Sequence, residues 1–411
     1  MQATWHARQA GIYAAQAAGH GGAGVLVAVL DGWVDVGHRY FEGRGRSGVN
    51  CVGGTCVPGQ HHDSCWHGTH VAGLIASSSF GVAPEALLLP VQVLTADPTG
   101  ACLGTSDDVA AGIRYAVGAG ARIINLSLGS ELPDHSPSSP LAEAVRYAVS
   151  KAVRVVFSAG NNDDPVVNPY DDGALIVAAT GPSGRLASYS QYGQGISLAA
   201  PGGEATATDQ DGRPSCAGPA DCVTSLLAGN RYGVAAGTSM AAPQVSGTAA
   251  LLLGQDPTRT RDQLARRLRS TARPLAQAGS GVLDASAELG VAPVGAPAKA
   301  GSPVAVASPT SGTPTRSPSP ATTPSTRPAL DGAADRTTSA PPSAAAAAPS
   351  SPPSPAPASA GAGTTTPDSP ATLRTPMSPP GGARLPPVTV TVAVALALLA
   401  GGGVAAARTR N

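Results

Sequence analysis

Net charge is the first thing this chain lacks. Its 26 Lys plus Arg balance 26 Asp plus Glu, for a formal charge of +0. No basic stripe interleaved with aromatics and no acidic run occurs, so nucleic acid is excluded as an expected partner. An obvious export signal is also missing. Met1-Gln2-Ala3-Thr4-Trp5-His6 has neither a basic n-region nor an apolar core, so it is not a signal peptide. The start as given is expected to lie downstream of the natural one. No Cys-x-x-Cys pair is found, which removes the usual zinc and redox spacing.

The six cysteines are Cys51, Cys56, Cys65, Cys102, Cys216 and Cys222. An even number in an extracellular setting favours disulfides. Three connectivities are open to the first four. The expected set is Cys51–Cys56, Cys65–Cys102 and Cys216–Cys222, with the last pair local and apart from the others.

Composition divides the chain. Residues 1–291 carry nearly all aromatic, Cys and His residues and read as one catalytic-sized domain. Residues 292–387 are rich in Pro, Ala, Ser and Thr. Such a segment buries too little apolar surface to offset chain entropy, so a disordered stalk is predicted. Residues 388–407 are uncharged and apolar, and about 20 such residues suffice to cross a bilayer. Arg408 and Arg410 follow within residues 408–411, so the tail is predicted to be cytoplasmic and the large domain extracytoplasmic. The expected location is the cell membrane, held by a single span.

Within the large domain, continuous β-branched runs alternate with helical patterns. The runs are 24–31, 86–94, 122–128, 154–159 and 174–179. They read as strands buried on both faces of a parallel sheet. A helix is predicted from Asp107 to Val117 with Ser106 as its cap, and another opens at Pro140. Arg261–Leu268 reads as an amphipathic helix with Leu264 and Leu268 one turn apart. The fold class is therefore α/β with a mostly parallel sheet.

Three residues suggest chemistry. Asp31 closes a buried strand, where a carboxylate is costly unless paired. His67 opens His67-Gly68-Thr69-His70, a small-residue helix start. Ser239 sits in Gly237-Thr238-Ser239-Met240-Ala241-Ala242-Pro243, where a helix N-terminus favours developing negative charge. Alone, each also suits a turn, a core histidine or simple packing. Together they supply a nucleophile, a base and an orienting carboxylate.

The order Asp31, His67, Ser239 resembles that of the subtilases. So do Gly81-Val82-Ala83-Pro84, Asn125-Leu126-Ser127-Leu128-Gly129 and Ser158-Ala159-Gly160-Asn161, each in its own place along the chain. The resemblance implies a subtilisin-like three-layer fold and a serine endopeptidase acting on polypeptides. It casts Ser239 as nucleophile, His67 as base, Asp31 as its orienting group and Asn161 as oxyanion donor. Ser127, Leu128 and Gly129, with Ser158, Ala159 and Gly160, would bind extended substrate through main chain. No cofactor is required. Many such enzymes bind structural calcium in loops; the candidates here are Asp163-Asp164 and Asp171-Asp172, which also suit turns and caps.

Two departures stand out. Subtilases usually follow the triad Asp with Ser or Thr and then Gly, whereas this chain has Gly32-Trp33. An altered cleft and lower activity are expected. The short front, Pro-rich stalk, span and basic end are similar to the membrane-anchored mycosins of type VII secretion. Secretion-system components are thus expected partners, and an inactive scaffold is the alternative reading.

Overall fold

The computed structural model describes residues 4–97, 102–128, 139–168, 170, 173–208 and 214–292. The predicted stalk, span and tail lie outside the described residues. No described helix is long and apolar enough to cross a membrane.

The main sheet is built from β1 (Leu26–Asp31), β2 (Val49–Asn50), β3 (Val57–Pro58), β4 (Leu87–Gln92), β7 (Ile123–Leu126), β8 (Arg154–Ser158), β9 (Ala174–Thr180) and β10 (Leu198–Pro201). Two short strands, β5 (Thr95–Ala96) and β6 (Cys102–Leu103), form a separate hairpin. Spatial order in the main sheet is β10-β9-β8-β7-β1-β4-β2-β3. Every pairing is parallel except the outer β2–β3 pair. All five predicted runs are strands of this sheet.

Side chains of β1 alternate between two cores, as the period of two requires. Val27 and Val29 enter one; Leu26, Ala28 and Leu30 enter the other. Two short helices, α1 (Trp5–Gln9) and α2 (Ile12–Ala17), precede β1, and the first core is covered by α3 (His67–Ala76) and α6 (Thr238–Gln255). The second is covered by α4 (Ser106–Gly118) and α5 (Pro140–Ser150). Helices on both faces of the sheet make the expected three layers. Helix α7 (Arg261–Ser270) buries Leu264 and Leu268 as predicted.

One cap is corrected. The α4 cap is Thr105, not Ser106. Extended backbone at Thr105 carries its hydroxyl back to the Asp108 N–H at 3.2 Å, while Asp108 Oδ2 accepts the Thr105 N–H at 3.0 Å. This reciprocal box needs an acidic residue three positions on, a spacing Thr105 has and Ser106 lacks. Asp108 Oδ1 also accepts the Gly53 and Gly54 amides at 2.7 and 2.8 Å, which ties α4 to the Cys51–Cys56 loop. The disulfides are Cys51–Cys56, Cys65–Cys102 and Cys216–Cys222, the expected connectivity.

The chain leaves β1 to build β2–β4 on one side and then crosses to build β7–β10 on the other. The switch lies beside β1 and β7. Open α/β sheets bind ligands outside the carboxyl ends of strands at such a point. Asp31 ends β1, and Ser127 follows β7 directly.

Candidate active site

Helix α3 begins at His67 and lies on the backbone just past β1. A Cβ on Gly68 would be 2.5 Å from the Gly32 carbonyl oxygen and 2.9 Å from that of Trp33, so only glycine admits this approach. The closeness brings His67 to Asp31. His67 Nδ1 is 2.9 Å from both carboxylate oxygens of Asp31. Asp31 is fully buried, and its Oδ1 also accepts the Gly32 N–H at 2.7 Å. The pairing that Asp31's buried position demanded is therefore present. A carboxylate on Nδ1 fixes that nitrogen as the protonated one and leaves Nε2 as the basic atom. His67 Nε2 has no hydrogen-bond partner among the described residues.

Ser239 lies in the first turn of α6, where backbone N–H groups have no intrahelical acceptor. Four residues on, Pro243 lacks the N–H that would bond to the Ser239 carbonyl. Ser127 fills that vacancy: its Oγ donates to the Ser239 carbonyl at 2.8 Å. Asn125 Nδ2 donates to Ser127 Oγ at 3.0 Å, and Ser246 Oγ donates to Asn125 Oδ1 at 2.8 Å. This buried chain pins the start of α6 to the end of β7. The Ser239 hydroxyl itself donates to the Ser127 carbonyl at 3.2 Å. That is a long O–H···O bond, readily exchanged by rotation about one side-chain torsion.

Asn161 follows the end of β8. Its Oδ1 accepts from the Thr238 N–H at 2.8 Å and the Thr238 hydroxyl at 3.0 Å. The Thr238 hydroxyl in turn accepts the Gly160 N–H at 3.0 Å. These bonds anchor the Asn161 carbonyl oxygen to Thr238, the residue before Ser239. The supporting roles of Thr238 and of the Asn125–Ser246 chain were not read from the sequence. A proline four residues after the candidate nucleophile was the available signal.

The remaining expected positions fall around this centre. Ser127 and Leu128 sit at the end of β7; Ser158, Ala159 and Gly160 sit at the end of the neighbouring β8. The two segments are joined by Ser158 Oγ donating to the Leu128 carbonyl at 2.9 Å. Gly160 has φ +110°, a value that suits glycine. Gly129 and Asp171-Asp172 lie outside the described residues. Asp163 and Asp164 sit in a turn, with the Asp163 N–H on the Tyr189 carbonyl at 3.0 Å. Among the described residues no group of three or more His, Cys, Asp or Glu could hold a metal ion.

The sequence signature has its explanation in this geometry, and comparison with known proteins agrees. The family model described as Subtilase family matches residues 22–290. This chain belongs to the subtilase family. Subtilisin BL of Lederbergia lenta is 37% identical over 279 residues, covering 65% of this chain and 91% of the relative. Subtilisin Savinase of the same organism is 36% identical over the same length and shares. A solved protease of Pseudoalteromonas arctica superposes with a TM-score of 0.57 at 30% identity, covering 70% of this chain and 96% of its own. The subtilase described here is accordingly a serine endopeptidase.

Two further histidines cluster with His67. His6 and His70 are buried, and each has its pKa lowered from 6.5 to about 3, mainly by desolvation. For His70 the nearby His67 and His6 add to the effect. Both rings fold as neutral bases and would be protonated in the unfolded chain below pH 6.5. Their contribution to stability is thus present above 6.5 and is lost as pH falls from there toward about 3. The subtilase's melting temperature is expected to be level above neutrality and to drop steadily on acidification. In His6→Phe the drop should be shallower by calorimetry; an unchanged slope would contradict the assignment.

Proposed function

We propose that Asp31, His67 and Ser239 form the catalytic triad of this endopeptidase, with Asn161 in its oxyanion hole. The observation that carries the reading is the buried Asp31–His67 pair at 2.9 Å, combined with a free Nε2. Ser239 Oγ leaves the Ser127 carbonyl, passes its proton to His67 Nε2 and attacks the scissile carbonyl carbon of a bound polypeptide. Asp31 stabilises the resulting imidazolium. The oxyanion is held by the Ser239 N–H and the Asn161 amide nitrogen. His67 then protonates the departing amine, and water, activated by the same base, releases the acyl product. Ser127–Gly129 and Ser158–Gly160 hold the substrate in extended form. No cofactor takes part in these steps.

We place this domain outside the cytoplasmic membrane, tethered through residues 388–407 by way of the 292–387 stalk. The uncharged apolar run and the arginines after it support the placement. Fractionation of cells should recover the full chain with membranes; recovery as a soluble secreted protein would contradict the tether. A mycosin-like role beside secretion components rests on the same architecture.

A peptide-library digest by the full chain tests the central reading. Internal cleavages blocked by a serine-directed inhibitor are expected. Asn161→Ala should lower kcat by about 10²–10³-fold at similar KM, the size known for the oxyanion asparagine of subtilisin. A KM effect alone would move Asn161 out of the oxyanion hole. One observation favours the inactive-scaffold reading: the Ser239 hydroxyl points at the Ser127 carbonyl and not at the imidazole. Absence of any cleavage by folded protein would decide for it.

A further inference from the structure

The glycine after Asp31 has a physical cause. A Cβ on Gly32 would overlap Cys65 Sγ and lie 3.0 Å from Cys65 Cβ. The space that a serine or threonine side chain would occupy is filled by one sulfur of the Cys65–Cys102 disulfide. On another side, the first turn of α3 presses on the Gly32 carbonyl through Gly68. Gly32 is thus held between a sulfur bridge and a helix start. Its N–H is the group that donates to Asp31 Oδ1 at 2.7 Å. Whatever fixes the Gly32 peptide therefore fixes the carboxylate that orients His67.

The loop that carries Cys65 is itself tied to the sheet. Gln92, the β4 register partner of Asp31, accepts the His61 N–H at 2.7 Å and donates to the His61 carbonyl at 2.9 Å. Asp63 Oδ1 accepts the Cys65 N–H at 2.9 Å. Cys65 is fully buried, and only Trp66 separates it from His67. Asp31, Gly32, Cys65 and His67 make one packed unit, closed by the bond to Cys102.

We propose that the Cys65–Cys102 disulfide is a positioning element of the triad. Cys65 Sγ substitutes for the side chain that follows the triad Asp elsewhere in the family, and Gly32 and Cys65 are a compensating pair. The proposal rests on the triad reading given above. Gly32 is then an adaptation to the bridge and not a lost hydroxyl.

Four full-length proteins test this: wild type, Gly32→Ser, Cys65→Ala with Cys102→Ala, and the triple variant combining all three changes. kcat and KM are measured separately on a cleaved peptide, and the His67 Nδ1 proton is followed by NMR. Gly32→Ser alone should lower kcat by about 10–100-fold with little change in KM, since displacements near 1 Å cost that much in a preorganised site. It should also shift the His67 Nδ1 proton resonance. Loss of the bridge alone should cost less, roughly 10-fold on the same grounds. The triple variant should regain most of the activity lost in Gly32→Ser and return the resonance toward its wild-type position. Wild-type kcat and resonance in Gly32→Ser would overturn the proposal. So would a triple variant whose loss is the product of the two separate losses. Should Gly32→Ser fail to fold by circular dichroism, a triple variant that folds with kcat at or above that of the bridge-free protein still supports the pair. A triple variant that also fails to fold overturns it. If wild type cleaves nothing, the triad reading fails, while the resonance in the four proteins still decides whether the bridge positions His67.

Discussion

Ser239→Ala is expected to lower kcat by about 10⁶-fold, the size known for the corresponding change in subtilisin. The change removes one oxygen, whose only hydrogen bond among the described residues is the long one to the Ser127 carbonyl. Folding should be spared, because the contacts that seat this turn use other atoms. Ser127 holds the Ser239 carbonyl, and Asn161 holds Thr238. Substrate binding should also persist, since the expected binding segments at 127–128 and 158–160 are untouched. A large fall in kcat with near-constant KM and unchanged melting temperature is therefore the signature. Activity within about tenfold of wild type would place the nucleophile elsewhere.

Asp31→Asn is expected to cost about 10⁴-fold in kcat with the site otherwise intact. In wild type both carboxylate oxygens accept from His67 Nδ1, and Oδ1 also accepts from the Gly32 amide. An asparagine offers one oxygen and one NH₂ in that space. If its oxygen stays on the Gly32 N–H, the NH₂ faces the imidazole and asks Nδ1 to accept. The proton then moves to Nε2, and the atom needed as base is blocked. The imidazolium formed during attack also loses its neighbouring charge. Because Asp31 is wholly buried, water cannot supply the missing acceptor. Loss by less than about tenfold would mean that His67 is oriented by some other group.

Much of this was legible in residues. Strands β1, β4, β7, β8 and β9 are buried on both faces, and continuous apolar runs announce such strands. Two-residue strands such as β2 and β3 have no period to detect, and β10, Leu-Ala-Ala-Pro, is too short and weakly marked. The Thr105 cap was missed because neighbouring Ser106 is an equally good capping type, and only backbone direction separates them. At the site, Asp31, His67, Ser239 and Asn161 each stood in a recognisable run. Their supports carried no such signal of role, although Thr238 and Asn125 stand in two of those runs. Thr238, Asn125 and Ser246 act through contacts that span 77 to 121 residues of chain. Gly32 is the clearest case. Along the chain it reads as a missing hydroxyl, and the sulfur that fills its place comes from Cys65, brought there by the fold.

Peptide mapping after reaction with a fluorophosphonate tests the central claim most directly. The probe forms a stable phosphonyl ester only with a serine whose oxygen is activated by a neighbouring base and whose adduct oxygen is stabilised by an oxyanion hole. The account predicts one adduct per chain, on the peptide carrying Ser239, lost in Asp31→Asn as well as in Ser239→Ala. A folded protein that takes up no probe, or takes it up at another residue, would contradict it.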